Sequence, residues 1–174
     1  LCKKSRANSA PEVNVRKKIL LVFLLVLVPL ALSGERAAGT NRIVPIDHAG
    51  LQKILANAEC PVMVVAMAAW CRPCRAELPT LVSLYQQYRS QGLNMIGLSL
   101  DASGPAAMQP IVDKMEVPFP VYWGGDKMAF QYRISAIPLI MIVSKGEITE
   151  KILGQRPRAF LEQKVNSVIS MCKS

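Results

Sequence analysis

Four stretches of this chain are apolar almost without interruption: residues 19–32, 61–67, 93–100 and 138–144. The last three are short and rich in aliphatic side chains, which suits strands, and the continuous apolar run 61–67, with its β-branched residues, suits one buried on both faces of a sheet. Between them, polar segments repeat apolar residues at helical spacing. Asp47 is placed to cap a helix over 48–58 that aligns Leu51, Ile54 and Leu55. A helix over 72–91 gathers Leu78, Leu81, Leu84, Tyr85 and Tyr88 on one side. Pro79 is expected to kink it and Gly92 to end it. Pro105 begins a helix to about Met115, and Pro118 and Pro120 delimit a short strand, Val121-Tyr122-Trp123. Asp126 is expected to cap a helix through Tyr132. Lys145-Gly146 reads as a hairpin turn into a strand over 147–153, and Arg156-Pro157 opens a last helix to about Met171. Strands alternating with helices, closed by a hairpin and a helix, predict an α/β three-layer sandwich around a mixed central sheet.

The first apolar stretch is of another kind. It follows the basic run Arg16-Lys17-Lys18, is broken by Pro29 and ends in the small residues of Ala31-Leu32-Ser33. That is the layout of a secretory signal peptide. Its fourteen residues fall short of the roughly 17–25 that span a bilayer, so cleavage is the expected outcome and an uncleaved anchor the competing one. Either way the basic flank stays inside and the rest of the chain is exported. The expected organisation is therefore 1–33 signal peptide or N-terminal anchor, 34–42 polar linker, and 43–174 folded domain. The segment also accounts for most of the charge. The net charge is +9, but six of the 21 basic residues and one of the 12 acids lie in 1–33, leaving +4 beyond it. No basic stripe interleaved with aromatics remains, so a nucleic-acid partner is not expected.

Export makes the cysteines informative. Cys2 precedes the signal; Cys60, Cys71, Cys74 and Cys172 follow it. Cys71 and Cys74 enclose Arg72-Pro73. Two cysteines so spaced form a redox couple, half a zinc site or a structural disulfide. Zinc needs four ligands, and the only histidine is His48. Haem attachment needs His where Arg75 stands. Position favours the redox couple, because the pair falls at the carboxyl end of a buried strand and the amino end of a helix. Free N–H groups and the helix dipole there favour a thiolate at Cys71, and Arg72 and Arg75 add positive charge. Cys71 is then the exposed nucleophile, and Cys74, one turn into the helix, the shielded resolving thiol.

The run Met67-Ala68-Ala69-Trp70-Cys71-Arg72-Pro73-Cys74-Arg75-Ala76-Glu77-Leu78-Pro79 resembles the active-site segment of the thioredoxin superfamily, closest to its extracytoplasmic TlpA/ResA-like thiol–disulfide oxidoreductases. Ile134-Ser135-Ala136-Ile137-Pro138 resembles that family's cis-proline loop, and Gly146 and Gly154 fall where the family has glycines. The resemblance covers about 43–171. It implies a thioredoxin-like fold, a redox-active disulfide at Cys71 and Cys74, and a cis bond before Pro138. It also implies a substrate surface at Trp70, Ile137 and Pro138, with the Ile137 backbone pairing with an extended substrate. Glu77 matches the family's acid three residues after the second cysteine and would accept the Cys74 proton. The competing reading of Glu77 is a solvated carboxylate paired with Arg72 or Arg75. Thioredoxin's buried Asp and Lys fall at Val65 and Gly97, which leaves Glu77 as the remaining candidate for proton acceptor.

The implied function is reduction of protein disulfides through a mixed disulfide, with Pro73 before the second cysteine leaning the couple toward a low potential. Expected partners are protein thiols and disulfides, apocytochrome c among them as in cytochrome c maturation, and a membrane electron donor of the thiol-reductase type. A location in the bacterial periplasm or on the outer face of the membrane, a monomer, no cofactor and no metal complete the picture. Competing functions are a disulfide oxidant or isomerase and, from another class, a copper-binding chaperone. The copper chaperones of this fold space their cysteines wider and add a His. The proline- and threonine-bearing loop of a peroxidase is missing. Cys60 and Cys172 are expected either to approach as a second, structural disulfide or to remain buried thiols. His48 is expected to be an exposed first-turn residue.

Overall fold

The computed structural model describes residues 41–173. The expected signal or anchor segment, and all of the expected linker but its last two residues, lie outside the described residues. In chain order the elements are β1 (Val44–Pro45), α1 (His48–Ala56), β2 (Val62–Met67), α2 (Arg72–Tyr88), β3 (Asn94–Ser99), α3 (Pro105–Lys114), β4 (Val121–Trp123), α4 (Gly125–Gln131), β5 (Leu139–Ser144), β6 (Glu147–Leu153) and α5 (Arg158–Lys173). A 3-10 turn over Arg89–Gln91 ends α2, and Gly92 closes it with a left-handed φ of 103°.

The sheet runs in the order β1-β4-β3-β2-β5-β6. The pairs β1/β4, β4/β3 and β3/β2 are parallel, and β2/β5 and β5/β6 antiparallel. It is thus a mixed sheet. β2 lies near its middle, and all six of its residues are buried. Its alternating side chains feed two separate cores. Met63, Val65 and Met67 pack with Leu78, Leu81 and Leu84 of α2, Val112 of α3 and Leu161 and Val165 of α5. Val62, Val64 and Ala66 pack with Leu51 and Leu55 of α1 and Met128 of α4. Helices on both faces make the three layers read from the sequence pattern.

Local departures have local causes. The pattern did not signal β1, a two-residue strand that exists through its pairing with Tyr122 and Trp123. Asp126 is not a cap: α4 starts at Gly125 (φ 59°) after Gly124, and Asp126 lies within its first turn. α2 continues through Pro79 to Tyr88. The last helix begins at Arg158, with Phe160 and Leu161 N–H donating to Pro157 O. His48 is half-buried rather than exposed, with its ring 5.3 Å from that of Tyr132.

Cys60, just before β2, and Cys172, at the end of α5, form a disulfide with their Cα atoms 4.7 Å apart. It joins residues 112 positions apart and ties the last helix to the entry of the central strand.

Candidate active site

β2 ends at Met67, and α2 begins at Arg72. The four residues between carry the chain from the middle of the sheet to a helix start, and Cys71 is the N-cap. Its side chain accepts from Cys74 N at 3.2 Å, its N–H donates to Ala68 O, and its carbonyl accepts from Arg75 N. Pro73 fits the first turn because that position has no intrahelical N–H to lose. Cys71 and Cys74 are joined as a disulfide, Cα–Cα 5.3 Å. Both are only 3% exposed, so the expected contrast between an open Cys71 and a shielded Cys74 is absent in this oxidised form. The Cys71 sulfur is drawn onto the helix start, where it caps Cys74 N.

The loop is held from below by Asp101, two residues past the end of β3. Asp101 is 1% exposed. Its carboxylate accepts from Ala69 N at 3.0 and 3.1 Å and from Ser99 Oγ at 2.9 Å. Its carbonyl accepts from Trp123 Nε1 at 2.7 Å. A carboxylate receiving a backbone N–H beside the dithiol fixes the Ala68–Trp70 turn, since charge-assisted bonds are about twice as strong as neutral ones.

The second side of the site comes from β5. Leu139 lies opposite Ala66 in the antiparallel register, so Pro138 falls beside the end of β2. The Ile137–Pro138 peptide is cis. Pro138 is buried, Ile137 half-buried and Trp70 70% exposed. Trp70 and Ile137 line one groove of about 380 Å³ with Leu100 and Ile134. Trp70 and Ile137 of the expected substrate surface thus share one groove, while Pro138, next to Ile137, is buried.

Glu77 is not the solvated carboxylate of the competing reading. It is 2% exposed, on the inner side of α2 one turn past Cys74. Its Oε1 accepts from Arg156 N at 2.7 Å, and its Oε2 has no hydrogen-bond partner among the described residues. Burial raises its pKa above the ordinary value, against the lowering effects of the Arg156 N–H and the Arg156 charge. The loop that supplies this donor also bonds the cis-proline, through Gly154 N to Pro138 O at 2.8 Å. Val65 and Gly97, where thioredoxin carries its buried Asp and Lys, are paired across β2 and β3. A Cβ on Gly97 would come within 2.7 Å of Met67 Cε and 3.0 Å of a Val121 methyl, so a side chain there would require Met67 and Val121 to give way. Among the described residues no three His, Cys, Asp or Glu gather to hold a metal ion, and no helix is long and apolar enough to cross a membrane.

The family model described as AhpC/TSA family matches residues 47–151. A thiol-disulfide oxidoreductase ResA of Bacillus cereus is 32% identical over 95 residues, which cover 53% of this chain and 54% of that protein. The chain thus spans about half the length of this curated relative. Among solved structures, a thiol:disulfide interchange protein of the thioredoxin family from Chlorobium tepidum TLS aligns with a TM-score of 0.58 at 22% identity, covering 68% of this chain and 84% of that one. StoA from Bacillus subtilis aligns with a TM-score of 0.54 at 22% identity, covering 62% and 83%. The fold is thioredoxin-like.

Proposed function

The chain belongs to the AhpC/TSA family, and on that footing we propose that it is an extracytoplasmic thiol–disulfide oxidoreductase that reduces protein disulfides. The observation that carries this reading is a disulfide-forming pair at a helix start, with a cis-proline on one side and a buried carboxyl one turn behind. A stapling disulfide needs neither companion. The ResA-like relative supports the chemistry, and the basic-then-apolar N-terminal sequence supports export.

In the reduced protein the Cys71 thiolate, favoured by the helix start, attacks one sulfur of a substrate disulfide. A mixed disulfide forms and the first substrate thiolate leaves. Cys74 then gives its proton to the Glu77 carboxylate and attacks the Cys71 sulfur. The Cys71–Cys74 disulfide forms, the second substrate thiolate leaves, and two electrons have passed to the substrate. Both leaving thiolates take protons from solvent or Glu77. A membrane donor of the thiol-reductase type restores the dithiol. Trp70 and the Ile137–Pro138 edge hold the substrate segment, whose backbone would pair with Ile137 as a strand does. Apocytochrome c thiols, as in cytochrome c maturation, fit as substrates of this class.

The test is reduction of insulin by the purified domain, together with the midpoint potential of the Cys71–Cys74 couple. Turnover with a potential well below about −180 mV supports a reductant. A potential at or above that value would assign the protein to the oxidants or isomerases instead.

A further inference from the structure

The apolar groove at Trp70 and Ile137 is one flank of the dithiol. The other flank is different in chemistry. A groove of about 320 Å³ is lined by Arg72, Arg75 and Ala76 of α2 and by Ile111, Lys114 and Met115 at the end of α3. Its three charged members are all cationic and all exposed. None is ion-paired among the described residues, where the one ion pair joins Lys164 of α5 to Glu150 of β6. The acids that flank Lys114 in sequence, Asp113 and Glu116, do not line the groove, and Asp113 is engaged by Gln109 Nε2 at 2.8 Å. Ile111 and Met115 pack against the core and supply an apolar floor.

We infer that this groove receives acidic side chains of the polypeptide whose disulfide is being reduced, and so selects substrates with Asp or Glu next to the reacting cysteine. Three unpaired cations around an apolar floor form a focused positive potential, which raises the encounter rate of a partner of opposite sign. Arg72 directly follows Cys71 in sequence. A chain covalently joined to the Cys71 sulfur is thus anchored one residue along the chain from a cation of the groove. That continuity favours the substrate chain itself over an anionic membrane surface as the occupant. The inference rests on the reading of Cys71–Cys74 as a substrate-facing couple.

The experiment uses three cyclic peptides closed by one disulfide, identical except for two Glu, two Gln or two Lys beside one half-cystine. Second-order rates of reduction by the reduced protein are measured at low and high ionic strength. The expected order is Glu over Gln over Lys, with about a 10-fold spread at low salt that collapses as salt screens the groove. Lys114→Glu, remote from the dithiol in sequence, is expected to narrow the spread about 3-fold and leave the Gln peptide unchanged. Lys114→Gln should fall between, and the unchanged Gln-peptide rate certifies that each variant is folded. Equal rates for the three peptides, or a spread that Lys114→Glu does not move, would overturn the inference and leave the oxidoreductase reading standing. Failure to reduce any of the three would remove both. Equal peptide rates combined with Lys114-dependent binding to phosphatidylserine vesicles would assign the groove to a membrane surface and overturn it too.

Discussion

Glu77 and Arg156 are 79 positions apart, yet the Arg156 N–H donates to Glu77 Oε1 at 2.7 Å. This one bond ties the dithiol helix to the loop after β6, and two residues earlier the same loop bonds the carbonyl of the cis-proline. The three parts of the proposed site, from α2, β5 and the 154–156 loop, are thereby held as a unit.

Glu77→Gln tests the proton acceptor. The variant keeps a side-chain oxygen for the Arg156 N–H but cannot take the Cys74 proton. Its first step, formation of the mixed disulfide, is expected to be normal, and its second to slow by about 10²-fold. Rapid-quench trapping should show the mixed disulfide accumulating. Wild-type resolution rates in the variant would remove Glu77 from the reaction.

The same residue gives a pH dependence with a definite sign. Burial raises the Glu77 pKa above the ordinary 4.5. The folded chain then holds a proton that the unfolded chain has released, so the stability this group contributes is present below 4.5 and lost as pH rises through the raised value. Glu77→Gln abolishes that titration. Urea-unfolding curves are expected to show the variant gaining on the wild type as pH rises through this window. A gap that widened toward acid would contradict the burial argument.

Cys74→Ser is expected to hold substrate on Cys71 as a stable mixed disulfide, visible as a reducible adduct on a non-reducing gel. Cys71→Ser should capture nothing. Reversal of the two results would exchange the roles of nucleophile and resolving thiol, which the equal burial of the oxidised cysteines leaves to the reduced form.

Replacing both Cys60 and Cys172 by Ser reopens a loop of 112 residues. The chain-entropy model puts the loss at about 4–5 kcal/mol, and removal of native disulfides generally costs about 2–5 kcal/mol. Urea denaturation should read a loss in that range, while insulin reduction survives, because neither residue touches the dithiol loop. Loss of activity in the folded double variant would mean the bridge takes part in the redox chemistry.

Asp101→Ala leaves Ala69 N–H without its partner and frees the turn before Cys71. An unmade bond of this kind costs about 1–3 kcal/mol. The expected result is a stability loss of that size together with slower insulin reduction and a shifted midpoint potential. A stability loss with unchanged potential would show that the carboxylate supports the fold without positioning the dithiol.

The three-layer order, the central strand, the dithiol at a strand end and the proline loop were all legible in the chain. Each is encoded over a few consecutive residues, by apolar runs, helical spacing or a short motif. Short-range grammar failed where the cause was long-range. β1 exists because Tyr122 and Trp123 lie beside it, and α4 starts without an Asp126 cap.

At the site the division is the same. From the sequence, type, spacing and position singled out Cys71 and Cys74, and the family resemblance added Trp70, Ile137, Pro138 and Glu77. Only the tertiary structure decided that Glu77 is buried against Arg156 N, that Asp101 braces the dithiol turn, that Cys60 meets Cys172, and that Lys114 joins Arg72 and Arg75 around one groove. Those relations join residues from 32 to 112 positions apart, and a carboxylate's burial or a cation's neighbours depend on which elements the sheet brings together. No local pattern carries that information, because desolvation and Coulomb interaction act through space rather than along the chain.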